Sequence, residues 1–119
     1  MDLSEYETLL REHLCCVCGV VGVYLHHPFG GSMSRKGVYK SSNSKVSDWL
    51  QLTLCFSHHQ GAEGVHTLGV NAWETTFGAQ SSFVDSLCEE FNINLWQLAS
   101  EKKEKKYKRS HKIMRREYE

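Results

Sequence analysis

Two short motifs set the frame for this chain: Cys15-x2-Cys18 and Cys55-x2-His58. Each puts two soft donors on one tight turn, the local geometry that tetrahedral zinc requires. Thirty-six residues, 19–54, separate the pairs. One ion bound by all four side chains would clip that excursion onto its base and constrain the unfolded chain strongly. A chain of 119 residues makes one small domain. A domain of that size buries a modest share of its surface, so a metal staple is physically useful. The cysteines are Cys15, Cys16, Cys18, Cys55 and Cys88. An odd number beside histidines, in a chain whose first residues carry acids and no apolar signal core, argues for metal and against disulfides. Cys16 is too close to Cys18 for the usual chelate turn. Cys88 falls at an apolar helix position, where a thiol packs as a small hydrophobe.

The pattern around these motifs predicts an α+β domain. Residues 2–13 read as a helix with Leu3, Tyr6, Leu9, Leu10 and His13 on one stripe and Ser4 with Glu7 at capping-box spacing, forming a packing lid. Residues 20–25 read as a strand that runs into His26-His27-Pro28, and residues 49–54 as a second strand leading to Cys55. Between them, residues 29–45 read as a long loop rich in Gly, Ser, Lys and Arg. A helix is expected to open at His58–Gln60 and to be interrupted by Gly61 and Gly64. Another is expected from Asn71 as N-cap, with Glu74 three residues on and Gly78 closing it. A third starts at Ser82, with Val84, Leu87, Cys88 and Phe91 on one face, and a last begins at Asn94. Hydrophobic content of 40% marks the chain as globular. No apolar run reaches the roughly 20 residues of a membrane span, so no membrane association and a cytoplasmic setting are expected.

The net charge of zero hides an asymmetry. Residues 1–99 carry five Lys/Arg against ten Asp/Glu, and residues 100–119 carry nine against four. The expected organisation is a zinc-stapled domain over 1–99 followed by a basic helix or tail over 100–119. Such a tail steers a protein onto phosphates, or is simply a solvated charged helix.

Histidines 26, 27, 58, 59 and 66 remain to be explained, and His58 is assigned to zinc. Hydrolysing a phosphodiester requires a base to activate water, a cation to stabilise charge, and a geometry that holds both in line. A neutral imidazole serves as base or as metal ligand. Adjacent strand residues point to opposite faces, so one of His26 and His27 can face a metal while the other faces the water.

At this point the residues resemble a family. Leu25-His26-His27-Pro28, Lys45-Val46-Ser47-Asp48, Leu54-Cys55-Phe56-Ser57-His58-His59-Gln60, Gly64-Val65-His66 and Trp73-Glu74-Thr75-Thr76-Phe77-Gly78, in this order, look like the HNH endonucleases. More narrowly they are similar to recombinase-dependent phage recombination-enhancement nucleases. The resemblance spans about residues 15–80. It implies a ββα-metal (His-Me finger) core of two antiparallel strands and a helix around one divalent ion, with flanking helices. It implies that His27 is the general base, that His26 and His59 bind the catalytic ion, and that His66 is a third ligand or phosphate contact. Asp48 sits near where the motif's middle residue, often Asn, would lie, with Asn43 as the alternative, and would orient the base. The catalytic ion would be magnesium or another divalent metal; manganese, nickel or zinc also suit imidazoles. The chain departs from the family at that middle position. It departs again at His66, which is seven residues from His59 across two glycines rather than one helical turn on.

The implied partner is DNA, with a recombinase filament as a further one. Arg35, Lys36, Lys40 and Lys45 in or near the long loop, and Lys102, Lys103, Lys105 and Lys106 in the tail, would meet the phosphate backbone. Two rival readings stand beside the nuclease. One is a non-catalytic, zinc-stabilised nucleic-acid-binding module with a degenerate HNH site. The other is a zinc-stapled protein-interaction domain.

Overall fold

A computed structural model describes residues 1–38 and 46–101. Its order is α1 (Leu3–Arg11), β1 (Tyr24–His26), α2 (Gly31–Arg35), β2 (Leu52–Leu54), α3 (Phe56–His59), α4 (Val65–Leu68), α5 (Val70–Phe77) and α6 (Gln80–Phe91), with a further helix over residues 95–101. The strands pair antiparallel, with Tyr24 opposite Leu54, Leu25 opposite Thr53 and His26 opposite Leu52. The protein is therefore a small α+β fold with a two-stranded sheet and helices.

The core joins both ends of the chain to the sheet. Tyr6 and Leu10 of α1, Leu52 and Leu54 of β2, Trp73 of α5, Val84 and Leu87 of α6, and Leu95 are all essentially inaccessible. Each fully buried large apolar side chain contributes about 1.5–3 kcal/mol. The Tyr6 ring lies 5.6 Å from the rings of both Trp49 and Phe91, which ties α1 to the start of β2 and the end of α6.

Several element bounds differ from the sequence expectation, each for a physical reason. Helix α1 is capped by Asp2, whose carboxylate accepts from the Glu5 N–H at 2.8 Å, and not by a Ser4–Glu7 box. Strand β1 begins only at Tyr24. Val20 belongs to the cysteine turn, where its carbonyl accepts from the Cys15 N–H at 2.9 Å. Residues Asp48–Leu50 form a 3-10 turn, capped by the Ser47 hydroxyl on the Trp49 N–H, so β2 is also short. The segment expected to be loop from residue 29 contains α2, which buries Ser32 and Met33. Helix α3 opens at Phe56 rather than at His58. Helix α5 starts at Val70 with Gly69 before it, so Asn71 is not its cap, while Gly78 does close it. Helix α6 starts at Gln80 rather than Ser82. Its first N–H groups are capped from outside: Gln80 N–H donates to Glu74 Oε2 at 2.7 Å and Ser81 N–H to Ser32 Oγ at 3.1 Å. The last helix is capped as expected, with Asn94 Oδ1 accepting from the Gln97 N–H at 3.1 Å. No helix among the described residues is long and apolar enough to cross a membrane.

Candidate metal centres

The cysteine turn and the start of α3 meet. Cys15 N–H and Cys16 N–H are bonded to Val20 and Thr53 carbonyls, and Gly19 N–H to the Cys15 carbonyl, each at 2.9 Å. This folds 15–19 into a knuckle laid across β2. A positive φ of 75° at Gly19 completes it. Cys55 is the N-cap of α3, so residues 55 and 58 face the same way across its one turn.

The donor atoms of Cys15, Cys18, Cys55 and His58 all lie within 4.8 Å of one another. Cys18 Sγ is 3.7 Å from Cys55 Sγ, and His58 Nδ1 is 3.2 Å from Cys55 Sγ and 4.0 Å from Cys15 Sγ. A tetrahedron with zinc–sulfur bonds of about 2.3 Å has edges of about 3.8 Å, so the set fits one zinc ion. The second ring nitrogen of His58 lies 3.5 Å from the Glu63 carboxylate, the kind of outer partner a ligating imidazole commonly has. Burial would raise the Cys15 thiol, but backbone N–H groups of Cys18, Cys55 and Val17 outweigh it and hold it below its ordinary value. That favours the thiolate a metal needs. Cys16 stands apart, with its sulfur 3.2 Å from the Thr53 hydroxyl.

A second cluster lies one residue further along. His26, His59 and His66 offer ring nitrogens that also fall within 4.8 Å of one another. His59 Nε2 and His66 Nε2 are 3.2 Å apart, and their ring centroids lie 5.2 and 5.3 Å from that of His26. Among the described residues His59 Nδ1 is buried without a hydrogen-bond partner, while its Nε2 faces His66. The seven-residue spacing closes because the chain folds back on itself. A Cβ on Gly64 would sit 2.6 Å from the His59 carbonyl oxygen, and one on Gly61 would sit 2.8 Å from the Ser57 Cα. Glycine is needed at both points of close approach.

Burial pushes the His26 imidazole down to about 4; its hydrogen bond to Gln80 opposes this, and His59, His66 and His27 add to the lowering. Burial and then His66 also lower His59. Neutral imidazoles at neutral pH are the form that ligates. Three nitrogen donors suit manganese, nickel or zinc better than magnesium, which prefers oxygen.

His27, on the opposite side of β1's end, does not join this cluster. Its Nε2–H donates to Asp48 Oδ1 at 2.7 Å, with both side chains about a quarter exposed at 28% and 25%. The pair lines an open cleft of about 410 Å³ together with Glu7, Arg11, Val23, Tyr24, Leu25 and Gln51. Tyr24 links cleft and cluster, since its ring also stacks on His59 at 6.1 Å.

The sequence-predicted residues thus fall into three groups. The four zinc candidates meet, the three remaining metal candidates meet, and Asp48 meets His27. Arg35 and Lys36 sit exposed at the end of α2. Lys40, Lys45, Lys102, Lys103, Lys105 and Lys106 lie outside the described residues. Sequence reasoning missed Arg11 and Gln80. It read Arg11 as part of a packing lid, and its i,i+4 spacing from Glu7 reads as a surface helix pair, so Arg11 carried no signal. Gln80 carried no signal, because its neighbour His26 is 54 residues away. No family model, no curated protein and no solved structure matches the chain.

Proposed function

We propose that this protein is a metal-dependent, HNH-type DNA endonuclease with a ββα-metal core, stapled by a structural zinc ion at Cys15, Cys18, Cys55 and His58. The observation that carries the reading is the split of two adjacent histidines. His26 turns into an imidazole triad, while His27 turns to a carboxylate at the mouth of a cleft. A purely structural zinc module has no use for this second set.

His26, His59 and His66 would hold a divalent ion, which when bound would supply charge stabilisation for the phosphate and the leaving oxygen. The chain's own groups do the rest. Asp48 accepts the Nε2 proton of His27, which leaves Nδ1 as the nitrogen that takes a proton from water. Arg11 offers a guanidinium fork in the same cleft, suited to phosphate oxygens. The basic residues of the tail add non-specific affinity for DNA, and a recombinase filament is the further partner the reading admits.

The test is cleavage of plasmid and single-stranded DNA by the full chain with manganese or magnesium, against EDTA. Cutting should require the added metal. His27→Ala should reduce it by about 10²–10⁴-fold, with zinc content unchanged. No cutting with any divalent metal, at full zinc occupancy, would overturn the enzyme reading in favour of a non-catalytic nucleic-acid module.

A further inference from the structure

The deepest member of the imidazole triad is held by a residue that belongs to neither motif. His26 is 3% exposed, and its Nε2 lies 3.0 Å from Gln80 Oε1. Gln80 is wholly buried, and its orientation is fixed at three points. Its side-chain NH2 donates to the Phe29 carbonyl at 2.8 Å. Its backbone N–H donates to Glu74 Oε2 at 2.7 Å. The Glu74 carboxylate is anchored in turn by the Ser32 N–H at 2.9 Å and by the Ser32 hydroxyl.

These contacts decide a proton. A backbone carbonyl only accepts, so the end of the Gln80 amide that faces Phe29 must be the NH2 group. The opposite end, facing His26, is then the oxygen, which also only accepts. Nε2 of His26 must therefore carry the hydrogen, and the lone pair of the neutral ring must sit on Nδ1. A ring nitrogen committed to donating cannot also ligate.

We propose that Gln80 is a positioning residue that locks His26 in its Nε2–H tautomer, so that Nδ1 is the atom His26 offers to a metal ion. Glu74 and Ser32 hold Gln80 in that role from α5 and α2. This rests on the reading of the triad as a metal site and adds which nitrogen binds and what sets it. Outer partners of this kind typically change metal affinity by about 10–100-fold when removed.

The experiment uses the full chain with zinc already in its Cys/His site and Co²⁺ as the probe of the triad. Nitrogen-15 spectra of the imidazoles should place the His26 proton on Nε2 before cobalt is added. Gln80→Met, close in volume but without the acceptor, should weaken Co²⁺ binding about 10–100-fold, with zinc content and the far-UV spectrum unchanged. The wild-type tautomer needs no variant and keeps the inference testable in the case in which Gln80→Met does not fold. A proton found on Nδ1 of His26 in the wild type, or equal cobalt affinity in folded Gln80→Met, would overturn the inference. A wild-type chain that takes up no cobalt at the triad would overturn the metal reading beneath it as well.

Discussion

With zinc bound at its four candidate ligands, Cys55→Ser should remove about 4 kcal/mol of folding stability, and the size of the loss follows from the fold. Cys55 sulfur lies next to both Cys18 and His58, and the Cys55 carbonyl receives the first hydrogen bond of α3, from the His59 N–H at 3.0 Å. Losing one thiolate opens a cross-link that closes a loop of 36 intervening residues. Treated as chain-entropy loss, a closure of that length is worth about 4 kcal/mol at 25 °C. Domains of this class hold about 5–15 kcal/mol in total, so the loss is a substantial share of the whole and leaves about 1–11 kcal/mol. In thermal terms the midpoint should fall by about 15–30 °C. The assay is thermal unfolding followed by tryptophan fluorescence, with zinc content by mass spectrometry. Trp73 is a suitable reporter, because it is wholly buried against Phe77, whose ring meets His58 at 4.9 Å. A Cys55→Ser chain that keeps the wild-type midpoint, or a wild type that purifies without zinc and is no less stable for it, would refute the reasoning.

Two further outcomes are expected. Glu74→Gln should cost about 1–3 kcal/mol, since charge-assisted acceptance from Ser32 and Gln80 is lost. Burial would raise the Glu74 carboxyl, but those donors hold it below its ordinary value. A lowered folded-state value means that its contribution is present above the unfolded-state pKa and lost as pH falls through the carboxylate range. Urea unfolding at neutral and acid pH should therefore show a smaller acid loss in Glu74→Gln than in the wild type. Arg11→Ala should lower the slope of log affinity against log salt by about 1 in DNA-binding titrations. It should leave thermal stability within about 0.5 kcal/mol, because Arg11 is exposed and makes no hydrogen bond or ion pair among the described residues.

The Cys/His candidates for zinc were legible in the sequence because local spacing encodes them, whereas His26, His59 and His66 were grouped only through the family resemblance. Two residues three apart on a turn share a face wherever that turn ends up, so Cys15 with Cys18 and Cys55 with His58 could be paired before any fold was known. The partnership of His27 with Asp48 came from the order of motifs rather than from spacing, and the structure places them 2.7 Å apart. Helix starts were less legible, for a definite reason. The N-termini of α5 and α6 carry no side-chain cap of their own. Glu74 and Ser32 cap α6 from other elements, and no reading of residues 79–82 in isolation contains that information. Gln80 was invisible for the same reason: a glutamine at a helix start looks like a surface residue until the strand that brings His26 against it is in place.

That tertiary capping has a consequence for how the candidate site is built. His58 and His59 are consecutive on the single turn of α3, one facing the cysteines and the other facing His26 and His66. A four-residue helix has almost no stability of its own. Zinc bound by Cys55 and His58 would hold α3 in place on one side. On the other side, the triad is approached by His26, which the Glu74–Ser32–Gln80 network fixes independently of zinc. With zinc bound, the triad would be the meeting point of two separate supports, a metal staple under His59 and a buried polar bridge behind His26. Either can be weakened without touching a ligand of the triad, and each should then misplace only its own imidazole.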